Sequence, residues 1–292
     1  MTKEQKLTLL FIIILPIILG FTLLFYKGKD SSISPKIFKK IGLVKISDVI
    51  ISSENYTKQL KEFREDEAIA GVILRIESPG GAVVPSQEIY KEILKYRGVK
   101  PIIASLGNIA ASGGYYIASA ATKIFACPGS ITASIGVIFR FPQYYKLMDK
   151  LGINIQTIKS GEVKDMGSPQ REMTQKEKII FQEILDDIHN QFIKDVSKAR
   201  KINEDSIKAL ADGRIMTGTQ ALKVGLIDTL GTFEEACDYL RKILGLSKST
   251  PIVEKKQRPS LLESILSGDV NEKIKFAKNI FYVSGPFFIY DK

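Results

Sequence analysis

Tryptophan is absent from the 292 residues of this chain, histidine occurs once and cysteine twice. A structural zinc site draws several Cys or His ligands into one place, and Cys127, Cys237 and His189 offer no such cluster. The two cysteines lie far apart and are read as buried free thiols, not as a disulfide or a metal pair. His189 lies in Ile184-Leu-Asp-Asp-Ile-His-Asn-Gln-Phe192, on what reads as the polar face of a long helix, and is expected to be solvated. A Ser-His-Asp triad therefore has no evident histidine, and any nucleophilic serine needs another base. The net charge is +10. The lysines are scattered beside Glu and Asp, and no basic stripe is interleaved with aromatics, so the charge suits solubility or an anionic membrane surface and no nucleic acid is expected. No internal repeat is visible, and no metal and no cofactor are expected.

One long apolar run stands out. From Leu7 to Tyr26 no charge occurs, and Leu, Ile and Phe dominate. Twenty residues at about 1.5 Å rise cover about 30 Å, the thickness of a bilayer core. Pro16 and Gly20 are tolerated in a membrane helix. No Ala-x-Ala site follows, so an uncleaved anchor is expected. Lys27, Lys29, Lys36, Lys39 and Lys40 after the run outnumber Lys3 and Lys6 before it. Counted literally, those lysines put the body in the cytoplasm.

The expected organisation is a short flank (1–6), a transmembrane anchor (7–26), a Ser/Pro linker (27–40), a catalytic body (41–246) and a weakly patterned tail (247–292). In the body, apolar strands at Ile41–Ile50, Gly71–Glu77, Pro101–Ser105, Lys123–Cys127 and Ile153–Ile158 alternate with helical patterns, and Ile131–Phe139 is a further apolar run. Such alternation implies βαβ units and a mainly parallel α/β sheet covered on both faces. Thr174 followed by Glu177 is a capping box opening a long helix to about Lys201. In the tail, Ile280–Tyr290 is apolar but too short to span a bilayer. Either it packs as a last strand, or it lies in a groove as a segment resembling substrate.

The chemistry centres on Leu106-Gly-Asn-Ile-Ala-Ala-Ser-Gly-Gly-Tyr-Tyr116. Ser112 sits where a strand and loop become a helix, followed by two glycines that admit a close backbone. Free N–H groups and partial positive charge at a helix start favour a nucleophile beside a developing oxyanion. A plain N-cap serine is the equal alternative on this stretch alone. Gly80 and Gly81 follow another strand, with approachable N–H groups. Lys164 lies in a polar Gly/Ser loop. A lysine base needs its pKa of about 10.4 lowered by desolvation, and most lysines are solvated surface groups.

Gly71-Val-Ile-Leu-Arg-Ile-Glu-Ser-Pro-Gly-Gly81, Ala110-Ala-Ser-Gly-Gly-Tyr-Tyr116, Thr132-Ala-Ser-Ile-Gly-Val137 and Ser160-Gly-Glu-Val-Lys-Asp-Met-Gly-Ser-Pro169 occur in one order. With Arg171-Glu-Met-Thr174, Ala211-Asp-Gly-Arg-Ile-Met-Thr-Gly218 and Leu226-Ile-Asp-Thr-Leu-Gly231 they resemble the signal peptide peptidase A (protease IV) family in its short, single-repeat form. The resemblance covers about residues 40–245. It implies a Clp protease/crotonase-like fold of stacked ββα units behind an N-terminal transmembrane helix. It implies Ser112 as nucleophile, Lys164 as general base, Ser134 as the serine orienting that lysine, and the N–H groups of Gly81 and Gly113 as oxyanion hole. Substrates would be remnant signal peptides and other apolar peptides. The body would sit outside the cytoplasm on the inner membrane, against the lysine count. The protein would be a homo-oligomeric ring whose Ser and Lys come from neighbouring chains. Two rival readings remain: a crotonase-like acyl-CoA enzyme, and an inactive membrane-anchored scaffold. Neither needs Ser112, Ser134 and Lys164 together.

Overall fold

The computed structural model describes residues 15–17, 38–255 and 287–289. The chain divides between Phe38 and Lys39 into two units. Residues 15–17 of the first are helical; the rest of the expected span 7–26 lies outside the described residues. Among the described residues no helix is long and apolar enough to cross a membrane.

The second unit is built on a mainly parallel sheet. Strand β1 (Lys40–Ser47) lies between β2 (Ile69–Ser78) and the short β9 (Ile252–Glu254), parallel to both. Strand β2 pairs with β4 (Ile102–Ala111), again in parallel. Strand β4 forks the sheet. Its first half pairs with β5 (Lys123–Ala126), which carries β8 (Thr229–Leu230); its second half pairs with β6 (Ile131–Ala133). The one antiparallel neighbour in this sheet is β7 (Ile215–Thr217), beyond β6. At the fork the Glu77 carboxylate accepts from the N–H groups of Asn108 (2.9 Å) and Ile109 (3.1 Å).

Both faces of the sheet are covered, which is why its strands read as unbroken apolar runs. Val44, Ile46, Val72, Leu74, Ile76, Ala104 and Leu106 pack with helices α1 (Glu54–Glu65), α2 (Val83–Leu94), α3 (Gly113–Ser119) and α5 (Gln175–Arg200) in the larger core. Ile41, Leu43, Ile73, Ile103 and Phe125 pack with Ala236, Cys237 and Leu240 of α8 (Phe233–Ile243) in the smaller one. Burying each such aliphatic contributes about 1.5–3 kcal/mol. Cys127 and Cys237 are both free, as expected, and burial pushes the Cys237 thiol up to about 11. Short helices α4 (Tyr145–Lys150), α6 (Glu204–Lys208) and α7 (Gly218–Lys223) complete the body.

Three expectations are corrected. Strand β4 does not end at Ser105 but runs to Ala111, because its second half finds a partner in β6. The apolar run to Phe139 is strand only as far as Ala133. Residues 153–158 form no strand: their alternating pattern finds no ladder partner among the described residues, and Ile158 is 94% exposed. Besides β9, residues Phe287–Ile289 form β10, antiparallel to β3 (Gly80–Ala82), with Phe288 opposite Gly81.

Candidate active site

The candidate residues gather outside the carboxyl ends of parallel strands, where open α/β sheets bind ligands. Ser112 follows β4, Gly80–Ala82 follows β2, and Ser134 follows β6. The β4–β6 pairing, with Ala111 opposite Ala133, brings the two serine-bearing turns together.

Ser112 is 1% exposed and holds φ +52°, ψ −117°, a conformation rare for any residue but glycine. Ala133 (φ +66°) and Ser134 (φ +53°) are also left-handed. Such residues cost on the order of 1–3 kcal/mol each and cluster at functional sites. The turns lock each other: the Ser112 N–H donates to the Ala133 carbonyl (2.8 Å), and the Ser134 N–H donates to the Arg214 carbonyl (2.9 Å). The plain N-cap reading of Ser112 fails, because its side chain makes no cap hydrogen bond. Its Oγ is buried without a hydrogen-bond partner among the described residues. Gly113 is the first residue of α3, so its N–H has no acceptor within the helix.

The Gly81 backbone faces the same region. A strand turns alternate N–H and C=O pairs to opposite edges. The Gly80 carbonyl accepts from Ile50 N–H (2.9 Å) and the Ala82 N–H donates to the Ile50 carbonyl (2.7 Å), so one edge of β3 is closed by Ile50. Gly81 presents its N–H and C=O to the other edge, the one that β10 occupies. A side chain at 81 is excluded, since a Cβ would stand 2.1 Å from the Ile50 carbonyl oxygen. Gly114 likewise admits a close backbone, its Cβ position lying 2.8 Å from the Ser78 carbonyl oxygen.

Helix α3 is fixed from behind by its tyrosines. The Tyr115 hydroxyl donates to the Leu226 carbonyl (2.9 Å) and that of Tyr116 to the Asp195 carboxylate on α5. Burial holds both phenols protonated, far above the usual tyrosine range, with Asp195 adding to the effect at Tyr116.

Lys164 lies elsewhere in character. It is exposed on the turn 160–167, its N–H donating to the Gly161 carbonyl (3.1 Å), and its side chain has no hydrogen bond or ion pair among the described residues. No hydrogen bond or ion pair joins it to Ser112 or Ser134 among the described residues. The turns that carry Ser112, Ser134, Gly81 and Gly113 thus lie at neighbouring strand ends, while the Lys164 side chain is bonded to none of them.

His189 differs from its expected role. It is half-buried, its Nε2 lacks a hydrogen-bond partner among the described residues, and it lines a cavity of ≈540 Å³ with Ser134, Val137, Arg140, Asp186 and Asp212. The sequence reading also passed over Arg171, which binds two carboxylates next to Lys164. Arg171-Glu-Met-Thr174 was in view as a motif, but an ion pair across a loop leaves no periodic signal.

The model of peptidase family S49 matches residues 95–247. A protein of Enterococcus faecium provisionally named signal peptide peptidase SppA is 40% identical over 220 residues, covering 75% of this chain and 64% of its own. A provisionally named protease of Synechocystis is 38% identical over 244 residues, covering 83% of this chain and 88% of its own. Protease 4 of Haemophilus influenzae is 30% identical over 225 residues, covering 73% of this chain but 36% of its own. The chain thus spans less than two thirds of the length of some of these relatives.

Proposed function

The chain belongs to peptidase family S49, and from that premise we propose that it is a serine endopeptidase working through a Ser112–Lys164 dyad shared between neighbouring copies. Ser112 Oγ attacks the scissile carbonyl carbon while Lys164 Nζ takes the hydroxyl proton. The N–H groups of Gly81 and Gly113 stabilise the oxyanion. Lys164 returns the proton to the departing amine, and water then opens the acyl-enzyme by the same steps in reverse. Ser134 hydrogen-bonds the lysine and orients it.

The observation that carries this reading is the Ser112 hydroxyl itself: buried, on a strained backbone at a helix start, and without a hydrogen-bond partner among the described residues. A serine kept for structure would bond its surroundings, because a buried polar group without a partner is costly. Two features favour a base from a second copy. The Lys164 side chain has no hydrogen bond or ion pair among the described residues. The segment leading to it exposes Leu147, Leu151, Ile153, Ile155 and Ile158, and a run of exposed aliphatics marks a contact surface.

The substrate is an extended apolar peptide that adds as an antiparallel strand to the edge of β3 away from Ile50, the mode in which main-chain bonds give affinity. Strand β10 already pairs there, so the tail acts as a stand-in that substrate must displace. Remnant signal peptides fit this class. The anchor at 7–26 holds the enzyme at the inner membrane, with its body on the extracytoplasmic side where those remnants lie.

Cleavage of a fluorogenic apolar peptide by the full chain tests the assignment. Ser112→Ala abolishes turnover, and Lys164→Ala lowers kcat by ~10²–10⁴-fold, the usual share of a general base. Undiminished turnover in either variant refutes the role given to that residue.

A further inference from the structure

Arg171 holds two carboxylates at once through all three guanidinium nitrogens. Its Nε and Nη2 donate to Oδ2 and Oδ1 of Asp165 (2.9 Å each), and its Nη1 donates to Oε2 of Glu177 (2.9 Å), with Nη2 on Glu177 Oε1 as well. Nη1 and Nη2 also reach the carbonyls of Glu172 and Asp165 (3.0 and 3.3 Å). Asp165 follows Lys164 in the chain. Glu177 is 1% exposed in the first turn of α5 and closes its capping box, accepting from the Thr174 N–H (2.8 Å). The guanidinium therefore bolts the residue beside Lys164 to the start of the longest described helix.

We propose that Arg171 is the positioning residue for Lys164: by clamping Asp165 to Glu177 it fixes the turn that presents the lysine and keeps the adjacent carboxylate from pairing with it. The inference rests on Lys164 being the base.

The charged groups around the turn support both parts. On the loop itself these are Lys159, Glu162, Asp165 and Arg171. From α5 they are Lys176 and Glu177, and from the 139–144 segment packed on the loop, Arg140. Each of these carboxylates is already taken, while Glu172, also on the loop, is exposed and carries no ion pair among the described residues. Asp165 holds Arg171 and Lys159 (Nζ–Oδ1 2.5 Å), Glu162 holds Lys176 (2.5 Å), and Glu177 holds Arg171. Lys164 carries no ion pair among the described residues. A planar guanidinium serves two carboxylates with fixed geometry, whereas an ammonium is a point charge. The far side of the turn is pinned by packing. Gly167, at φ +78°, leaves a Cβ position 2.7 Å from the Phe141 ring, which stacks with Phe139 and with Phe181 of α5.

A carboxylate released beside Lys164 would stabilise its ammonium form and raise its pKa. The base would then stay protonated to higher pH, and the acid limb of the rate profile would move up. Misplacement of the lysine by about 1 Å would separately lower kcat by up to ~100-fold.

The test measures kcat and KM against pH for the full chain in detergent, with particle size and melting followed in parallel. The variants are Arg171→Ala, Arg171→Lys, Arg171→Ala/Asp165→Asn and Lys164→Ala. Arg171→Ala should lower kcat by ~10–100-fold with KM within about threefold, and move the acid limb up by about one pH unit. Adding Asp165→Asn should return the limb to its original place, because the competing charge is gone; a purely structural loss has no such reversal. Arg171→Lys should fall between, and carries the test if the alanine variant does not fold. A folded, assembled Arg171 variant with unchanged kcat and acid limb, beside an inactive Lys164→Ala, overturns the positioning role while leaving the base in place. An active Lys164→Ala removes the base reading and this inference together.

Discussion

Ser112 holds a backbone conformation that glycine adopts without strain and other residues do not, and this separates its chemistry from its cost. Ser112→Gly and Ser112→Ala both remove the proposed nucleophile, but only glycine relieves φ +52°. The glycine variant should be more stable than the alanine variant by about 1 kcal/mol or more in chemical denaturation. Equal stabilities would mean that no strain is stored there. The serine was legible in the sequence because it stands between an apolar strand and two glycines, a pattern set by neighbours in the chain. Gly81 was legible for the same reason. Arg171 was not, since its partners Asp165 and Glu177 lie six residues to either side across a loop, and nothing in the local pattern tells a clamped arginine from a solvated one. His189 was misread as solvated because helical periodicity gives its face of α5 but not the cavity beside Ser134 that the face meets.

At the scale of elements, the strands buried on both faces could be read directly as apolar runs, and the capping box of α5 from Thr174 and Glu177. The run at 153–158 misled because alternation marks a strand only where another strand completes its ladder. Two predictions belong here. Arg171 and the Thr174 cap hold the Glu177 carboxyl down at about 2, against an ordinary value of 4.5. A carboxylate depressed in the folded state stabilises it above the unfolded pKa, and that contribution is lost as pH falls from about 4.5 to about 2. Glu177→Gln should therefore lower the melting temperature clearly at pH 7 and little at pH 2; an equal loss at both would sink the linkage. The second concerns β10. Ending the chain at Gly285 frees the edge of β3 away from Ile50, so the apparent KM for a short apolar peptide should fall while kcat holds. An unchanged KM would mean that the tail does not compete for the groove.

At the scale of the whole molecule, the described residues carry a candidate nucleophile with no hydrogen-bonded base and a candidate base with no ion pair. Its exposed aliphatics at Leu151, Ile153, Ile155 and Ile158 lie just before the lysine. In the proposed assembly, a second copy placed head to tail would cover that surface and complete the site in one step, and a closed ring would repeat the arrangement for every protomer. Ile155→Lys with Ile158→Lys should then abolish assembly and peptidase activity together, leaving the melting of the isolated body little changed, as read by size-exclusion chromatography and circular dichroism. Activity surviving in a dispersed monomer would separate the two. Family motifs in the sequence pointed to shared sites, yet no single-chain pattern could locate the surface that builds them, because its partner is another molecule.

The most direct measurement is the activity of particles co-assembled from equal amounts of Ser112→Ala and Lys164→Ala chains, with mixed composition verified by orthogonal tags. If each site takes its serine from one chain and its lysine from the next, random mixing restores about a quarter of wild-type activity from two inactive parents. Verified mixed particles that stay inactive would contradict the shared dyad and return Lys164 to the chain that carries Ser112.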